Sequence, residues 1–239
     1  MIPLRITATT PHGIVLSRAW GIAFDGLLAS VLWHRRKREA QQAGAALTYQ
    51  PELVPELLDL PLERCGHPQT DPDWHWMATF SDCHPAGDTA DIRWRTSRTD
   101  HTRLQQLSPM IGGRVVADRA GRYQQRIIPV MAHAVQTVTW RAVGNPDLIR
   151  DLLTDLPSIG KHRGTGEGVV SNWDITECPE EQHWSFGHEH ETGILGRSTP
   201  LRCLADRTPT PTTGGPGYSA IRPPYLNPHS RTDVHYPTR

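Results

Sequence analysis

The order in which strand-like and helix-like segments follow one another most constrains the fold of this chain. Residues 4–8 and 74–80 alternate apolar and polar side chains with the period of a half-buried strand. The run 127–143 is rich in β-branched residues and predicts one or two buried strands. A last strand is predicted over residues 169–176, after a stretch rich in glycine.

Two helices are predicted between these strands. Asp25 can act as the N-cap of the first helix, and Gly44 is suited to end it. The basic run 34–38 places positive charge late in this helix, where the macrodipole favours it. The second helix begins at residues 145–147, whose sequence Asn-Pro-Asp supplies a cap, a proline and an acid, and it ends at Pro157.

The resulting order is strand, helix, strand, insertion, strand, helix, glycine-rich loop and strand. It predicts an α+β, ferredoxin-like βαββαβ fold over residues 1–195, with a basic β-hairpin inserted at residues 84–128. Residues 45–72 are rich in proline and acid and are expected to form an ordered linker. Residues 196–239 are rich in proline, glycine and arginine and should form a C-terminal extension. From residue 208 onward this extension is expected to lie over the surface rather than form a core.

The formal charge is zero in total but uneven along the chain. Residues 51–88 hold eight acids against one arginine, whereas residues 89–128 hold eight arginines against three aspartates. The segment 195–239 carries six arginines and two aspartates. A neutral total argues against a protein that finds nucleic acid by bulk attraction alone. The uneven pattern suits a chain with one face on a polyanion and another on protein partners, although ordinary variation of surface charge gives the same pattern.

The most informative segment is the glycine-rich loop, residues 159–169, between the second helix and the last strand. Four glycines in nine residues allow positive φ and expose successive backbone amides, which attract phosphate. Two basic side chains add charge where a phosphate backbone would pass. The residues predicted to form this phosphate cradle are Gly160, Lys161, His162, Arg163, Gly164, Gly166 and Gly168.

The same loop excludes two nucleotide-binding motifs. No Gly-Lys-Ser/Thr sequence closes it, as a P-loop requires. A dinucleotide fingerprint needs a strand before the glycines and a helix after them, and here that order is reversed. A flexible connection between helix and strand is the alternative interpretation of the glycines.

A glycine-rich loop between the second helix and the last strand of such a fold resembles the RAMP superfamily of CRISPR-associated proteins. Residues 4–36 are similar to the first strand and helix of that superfamily, and Asp25-Gly26-Leu27-Leu28-Ala29 is the most recognisable part. Residues 200–202 (Pro-Leu-Arg) and 221–225 (Ile-Arg-Pro-Pro-Tyr) look like C-terminal segments of type IV Csf subunits. The chain most resembles the Cas family-five subunit of type IV systems.

This resemblance implies a non-catalytic subunit, without cofactor, that holds the 5′ handle of the guide RNA (crRNA). It implies a repeated RAMP backbone subunit as protein partner, and a target nucleic acid that is met only through the complex. The insertion would be a thumb that displaces a base with Met110, Ile111 or Val115. The thumb residues expected to contact RNA phosphates are Arg114, Arg119 and Arg122.

Two other functions stay open at this stage. Related RAMP proteins include endoribonucleases that process repeat RNA with a histidine as general acid or base. His162 is the first candidate because it lies between two basic residues of the loop, and other histidines near the expected RNA surface are His12, His34 and His133. A ferredoxin-like binding module unrelated to CRISPR is the third interpretation.

The cysteines give only weak signals. Cys65-x-His67 with Cys83-His84, or His188-x-His190 with Cys178, contains zinc-ligating residue types, but the spacing is not that of a known zinc module. We therefore predict no metal, and reduced thiols in a cytosolic protein. No apolar run approaches the roughly 18 residues of a membrane span, and residues 1–10 lack a signal core, so no export is expected.

Overall fold

The computed structural model describes residues 1–18, 20–97, 100, 106, 124, 126–205 and 207–238; for residues 84–90 and 97 it gives the backbone alone. The helices are α1 (Phe24–Gln42), α2 (Pro146–Leu153), α3 (His183–His188) and α4 (Leu201–Ala205). The strands are β1 (Ile2–Thr9), β2 (Arg64–Cys65), β3 (His75–Trp76), β4 (Asp82–Ser97), β5 (Arg126–Gly144), β6 (Asn172–Glu177), β7 (Glu189–Glu191), β8 (Ile194–Leu195), β9 (Thr199–Pro200), β10 (Pro216–Ala220) and β11 (Arg231–His235).

A four-stranded antiparallel sheet forms the centre of the molecule, with the strand order β4-β5-β1-β6. One face of β1 is buried through Leu4, Ile6 and Ala8 because alternate residues of a strand point to the same side. These side chains share one apolar core with α1, α2 and β5. In that core, the Trp140 ring lies 5.8 Å from Phe24 and 5.8 Å from Trp173. The fold is therefore α+β, with a core between one sheet face and two helices.

The structure confirms several predicted element ends. The first strand and both helices are present, and Asn145 caps α2 by accepting hydrogen bonds from the amides of Asp147 (3.0 Å) and Leu148 (3.1 Å). Gly44 follows α1 with a positive φ of 74°. The prediction that Asp25 is an N-cap is wrong, because Ala23 holds that position and Asp25 is buried inside the first turn of α1.

The strands that follow the first helix differ from the prediction in length and position. The strand expected over residues 74–80 shrinks to β3, and β4 begins only at Asp82. The strands β4 and β5 pair from Asp82 with Thr139 to Ser97 with Arg126. The inserted hairpin is therefore a continuation of two core strands; we call its outer part, residues 91–97 with 126–133, the hairpin stem. Residues 107–123 lie outside the described part of the chain.

The C-terminal extension is expected to lie over the surface from residue 208 onward, and in the structure part of this segment forms strands with buried residues. The strands β9, β10 and β11 form a three-stranded sheet in the order β10-β11-β9. Ile221 and Val234 are buried. The composition predicted a surface segment because it does not show which residues of the fold a distant segment will cover. No helix in the described ranges is long and apolar enough to cross a bilayer.

Candidate nucleic-acid interface

The base of the glycine-rich loop is fixed to the segment that follows β1. The amide of Lys161 donates to Val15 O (2.8 Å), and the amide of Gly168 donates to Gly13 O (3.1 Å). Gly168 has a φ of 64°, and a Cβ there would overlap the carbonyl oxygen of Ile159. A Cβ at Gly160 would lie 2.6 Å from Val15 O. These two glycines are therefore required by close packing of the backbone.

The tip of the loop, residues 161–166, is exposed and contains a single turn of 3-10 helix over Arg163–Thr165. His162 takes a left-handed conformation with a φ of 59°, and its carbonyl accepts from Thr165 N at 2.9 Å. The amides of His162, Arg163 and Gly164 have no hydrogen-bond partner among the described residues. The cradle predicted over residues 160–168 is thus confined to the tip, because amides nearer the base bond to protein carbonyls.

The other two loop glycines lie in open space. A Cβ at Gly164 or Gly166 would meet nothing within 4 Å. Gly166 has a φ of 92°, which only glycine adopts readily, whereas no such constraint applies at Gly164. The absence of side chains here leaves the exposed amides accessible to a ligand.

A groove of about 680 Å³ separates the loop tip from the second half of α1. Basic side chains line both walls: His34, Lys37 and Arg38 from α1, and Arg163 from the loop. Arg38 is paired with Asp155 (3.0 Å), whereas Lys37 and Arg163 form no ion pair with a residue that the structure describes. Three of the five residues in the basic run of α1 therefore line a groove. The run lies before the last turn of the helix, which carries no basic residue.

Glu167 connects the loop to the hairpin stem. Its carboxylate is fully buried and forms ion pairs with Arg93 (2.5 Å) and Arg95. Arg93 also donates to His12 O at 2.9 Å. These two arginines of the basic region therefore contact a carboxylate of the chain itself. Glu167 is not among the residues predicted from the sequence, although an acid inside a basic glycine-rich loop is a visible signal.

The remaining predicted site residues are distributed as follows. Arg114, Arg119 and Arg122 lie outside the described residues, as do Met110, Ile111 and Val115, so their roles stay predictions. The ring of His162 is exposed and has no hydrogen-bond partner in the described ranges. Acids of the segment 51–88 form ion pairs within the chain, for instance Asp59 with Arg64 and Glu56 with Arg36.

A buried junction joins the start of α1 to the C-terminal extension. The Tyr225 hydroxyl donates to both carboxylate oxygens of Asp25, at 2.8 and 2.9 Å. Arg197, also buried, donates to the carbonyls of Ala78 (2.9 Å) and Ile221 (2.6 Å), and its guanidinium lies 4.0 Å from Asp25. Burial raises the pKa of the Asp25 carboxyl, and burial also raises the pKa of the Tyr225 hydroxyl. The two motifs around Asp25 and Tyr225 thus meet in the fold.

One group of potential metal ligands comes together among the described residues, and none of its members lies in the loop. It consists of Cys65, His75, His188 and Cys203. Among the described side chains, neither combination considered from the sequence forms, since Cys83 has Ser81 as its neighbour (3.8 Å) and Cys178 lies against Thr176 O. The group could not be predicted from the spacing of cysteine and histidine in the sequence, because its members are far apart in the chain.

Comparison with known proteins gives one family. The family model described as CRISPR type IV associated protein Csf3 matches residues 2–237. No curated protein matches the chain. The matched range contains the sheet, the glycine-rich loop, the hairpin and the C-terminal strands.

Proposed function

We propose, since the chain belongs to the Csf3 family of CRISPR type IV associated proteins, that it is the non-catalytic RNA-binding subunit of a type IV effector ribonucleoprotein. In this proposal the chain holds the 5′ handle of the guide RNA and caps a filament of repeated RAMP backbone subunits. The observation that carries the proposal is the exposed loop tip, across a groove from the basic half of α1. Its amides at residues 162–164 have no hydrogen-bond partner in the described part of the chain, and basic side chains lie beside them.

The strand order supports a ferredoxin-like RAMP fold for this subunit. The sheet order β4-β5-β1-β6, with α1 after β1 and α2 after β5, matches the order expected of a βαββαβ unit whose two outer strands flank the first and third. The short strands β2 and β3 and the linker are additions to that unit. Both long helices share one core with the sheet.

The chemistry of the tip suits phosphate groups. Backbone amides at His162, Arg163 and Gly164 can donate to phosphate oxygens without reading the base. Lys161, Arg163 and, across the groove, Lys37 supply charge that is not neutralised by acids of the described chain. Such contacts release counterions, so binding should weaken steeply with salt.

The hairpin stem offers a second contact surface. One face is held to the loop through Glu167, whereas the opposite face exposes Ile92, Trp94 and Met131. Trp94 is 66% exposed. An exposed indole can stack on an unpaired base, a contact worth about 1–3 kcal/mol. The stem therefore supports the proposal that this hairpin is the thumb of the subunit.

A non-catalytic role is proposed because the best histidine candidate lacks an orienting partner. A general base is normally held by a third group that fixes its tautomer. His162 has no such partner among the residues described, and it sits on an exposed tip. Incubating the purified chain with labelled repeat RNA in EDTA should leave the RNA intact. Cleavage that is abolished by His162→Ala would replace this proposal with the endoribonuclease.

Co-purification of guide RNA tests the binding role. The chain is co-expressed with its effector partners and a CRISPR array, and guide RNA per complex is measured after washing at increasing salt. The double variant Lys161→Ala/Arg163→Ala should lower RNA retention about tenfold at moderate salt, because two phosphate contacts are lost. The matched control is Arg150→Ala, an exposed arginine of α2 that pairs only with Asp147 in the described chain. Equal retention by both variants would contradict the proposal.

A further inference from the structure

The Cys/His group defined above brings four ligand atoms into one small space. The sulfur and ring-nitrogen atoms of Cys65, His75, His188 and Cys203 all lie within 4.8 Å of one another. The two sulfurs are 3.6 Å apart, the His75 and His188 Nε2 atoms are 2.8 Å apart, and Cys203 Sγ lies 3.8 Å from His188 Nε2. A tetrahedral zinc ion with ordinary bond lengths has ligand–ligand edges of about 3.3–3.8 Å.

The outer nitrogens fix the protonation of both imidazoles. His75 Nδ1 lies 2.9 Å from Asp73 O, and His188 Nδ1 lies 2.7 Å from Trp184 O. A carbonyl oxygen only accepts, so each Nδ1 must carry the hydrogen. In the neutral rings both Nε2 lone pairs then point at each other across 2.8 Å. That contact is repulsive unless a cation lies between the rings, and both rings are buried, so an uncompensated charge on either is costly.

Surrounding residues hold the ligands as outer contacts do in metal sites. Donation from the second ring nitrogen to a carbonyl is the usual arrangement for a metal-binding histidine. Trp184 Nε1 donates to Cys203 Sγ at 3.3 Å, a contact that favours the thiolate. Arg202, next to Cys203, forms ion pairs with Asp71 and with Asp73 (3.2 Å), which fixes α4 against the turn before His75.

We propose that Cys65, His75, His188 and Cys203 bind one zinc ion that joins β2 and β3 to α3 and α4. Two thiolates and two neutral imidazoles are the ligands of structural zinc, and four protein ligands leave no open position for catalysis. Cys65 and His75 are directly paired across the β2–β3 ladder. The ion would fix the C-terminal extension to the residues that precede the central hairpin. This proposal rests on the cluster alone and is independent of RNA binding.

Metal analysis of the full-length purified chain tests the proposal. Elemental analysis should find about one zinc per chain. The variants Cys65→Ser and Cys203→Ser should lose most of it, whereas Cys83→Ser, a cysteine outside the cluster, should keep it. Retention of full zinc content by both cluster variants would overturn the assignment.

A second measurement covers the case in which the cluster variants do not fold. The wild-type chain is stripped with a chelator under reducing conditions and titrated with Co²⁺ at one equivalent. Tetrahedral cobalt absorption with thiolate charge-transfer bands is expected, together with a return of the melting temperature lost on chelation. X-ray absorption of the zinc form should give two sulfur ligands at about 2.3 Å and two nitrogen ligands at about 2.0 Å. Zinc-free folded protein without these bands, or a Cys65–Cys203 disulfide found by mass spectrometry in protein purified without oxidant, would overturn the proposal.

Discussion

The loop tip and the buried junction both contain basic residues, but these residues are exposed at the tip and buried at the junction. At the tip, Lys161 and Arg163 are exposed and unpaired with acids of the described chain. At the junction, Arg197 is buried and saturated with carbonyl oxygens beside Asp25. A charge that the chain compensates itself joins its own segments, whereas a charge that it leaves uncompensated is available for a partner.

The two regions also differ in how far apart their residues lie in the sequence. The tip is six consecutive residues, 161–166, so its chemistry can be read from one short segment. The junction gathers residues from 25 to 225, and the neighbouring Cys/His cluster gathers residues from 65 to 203. We expect substitutions at the junction to lower the stability of the fold, and substitutions at the tip to weaken RNA binding.

The largest expected effect is at the junction. Asp25→Ala removes the carboxylate that holds the Tyr225 hydroxyl and faces the buried Arg197 guanidinium. We expect the free energy of unfolding to fall by about 3–5 kcal/mol, because a buried charge loses its partner. Chemical denaturation measures this loss. The exposed Asp147→Ala is the control, and a loss at Asp25 no larger than at Asp147 would mean that the junction is not coupled by charge.

The second largest effect is expected at Glu167, which belongs to the loop but is buried and paired with arginines. Glu167→Gln keeps the shape of the side chain but removes the charge that Arg93 and Arg95 share. A loss of about 2–3 kcal/mol is expected, since both ion pairs are lost and the Gln side-chain nitrogen, which only donates, cannot accept from one of the two arginines. The measurement is thermal unfolding at low and high salt. An unchanged melting temperature would show that the hairpin stem is not held by this carboxylate.

The glycines of the loop provide an internal comparison. Gly168→Ala should cost about 2 kcal/mol because the residue has a positive φ and touches Ile159 O. Gly164→Ala should change stability by less than about 0.5 kcal/mol, because its Cβ enters open space. Unfolding curves of the two variants test whether the base of the loop is required for packing and the tip is not. Equal losses of stability at both positions would contradict this distinction.

The smallest effect on stability is expected for the charges of the tip. Lys161→Ala/Arg163→Ala should leave the free energy of unfolding within about 0.5 kcal/mol of wild type, since both side chains are exposed. The same variant should lose guide RNA. A large loss of stability would mean that Lys161 and Arg163 stabilise the fold, as the residues of the junction do, and are not reserved for RNA.

The sequence predicted what depends on neighbours in the chain. The alternation of β1 and the Asn145 cap were readable because their periods and hydrogen bonds are local. The glycine-rich loop was identified for the same reason, although the sequence did not show which of its amides bond to Val15 and Gly13. Asp25 was misread as a cap because its partner, Tyr225, lies 200 residues away in the chain.

Photo-crosslinking within the assembled complex tests the central claim most directly. Guide RNA carrying 4-thiouridine in its 5′ handle is crosslinked, and the attached peptides are identified by mass spectrometry. Crosslinks are expected in residues 161–166 and in the facing residues 34–41 of α1. Crosslinks to this chain that all fall outside both segments would contradict the account.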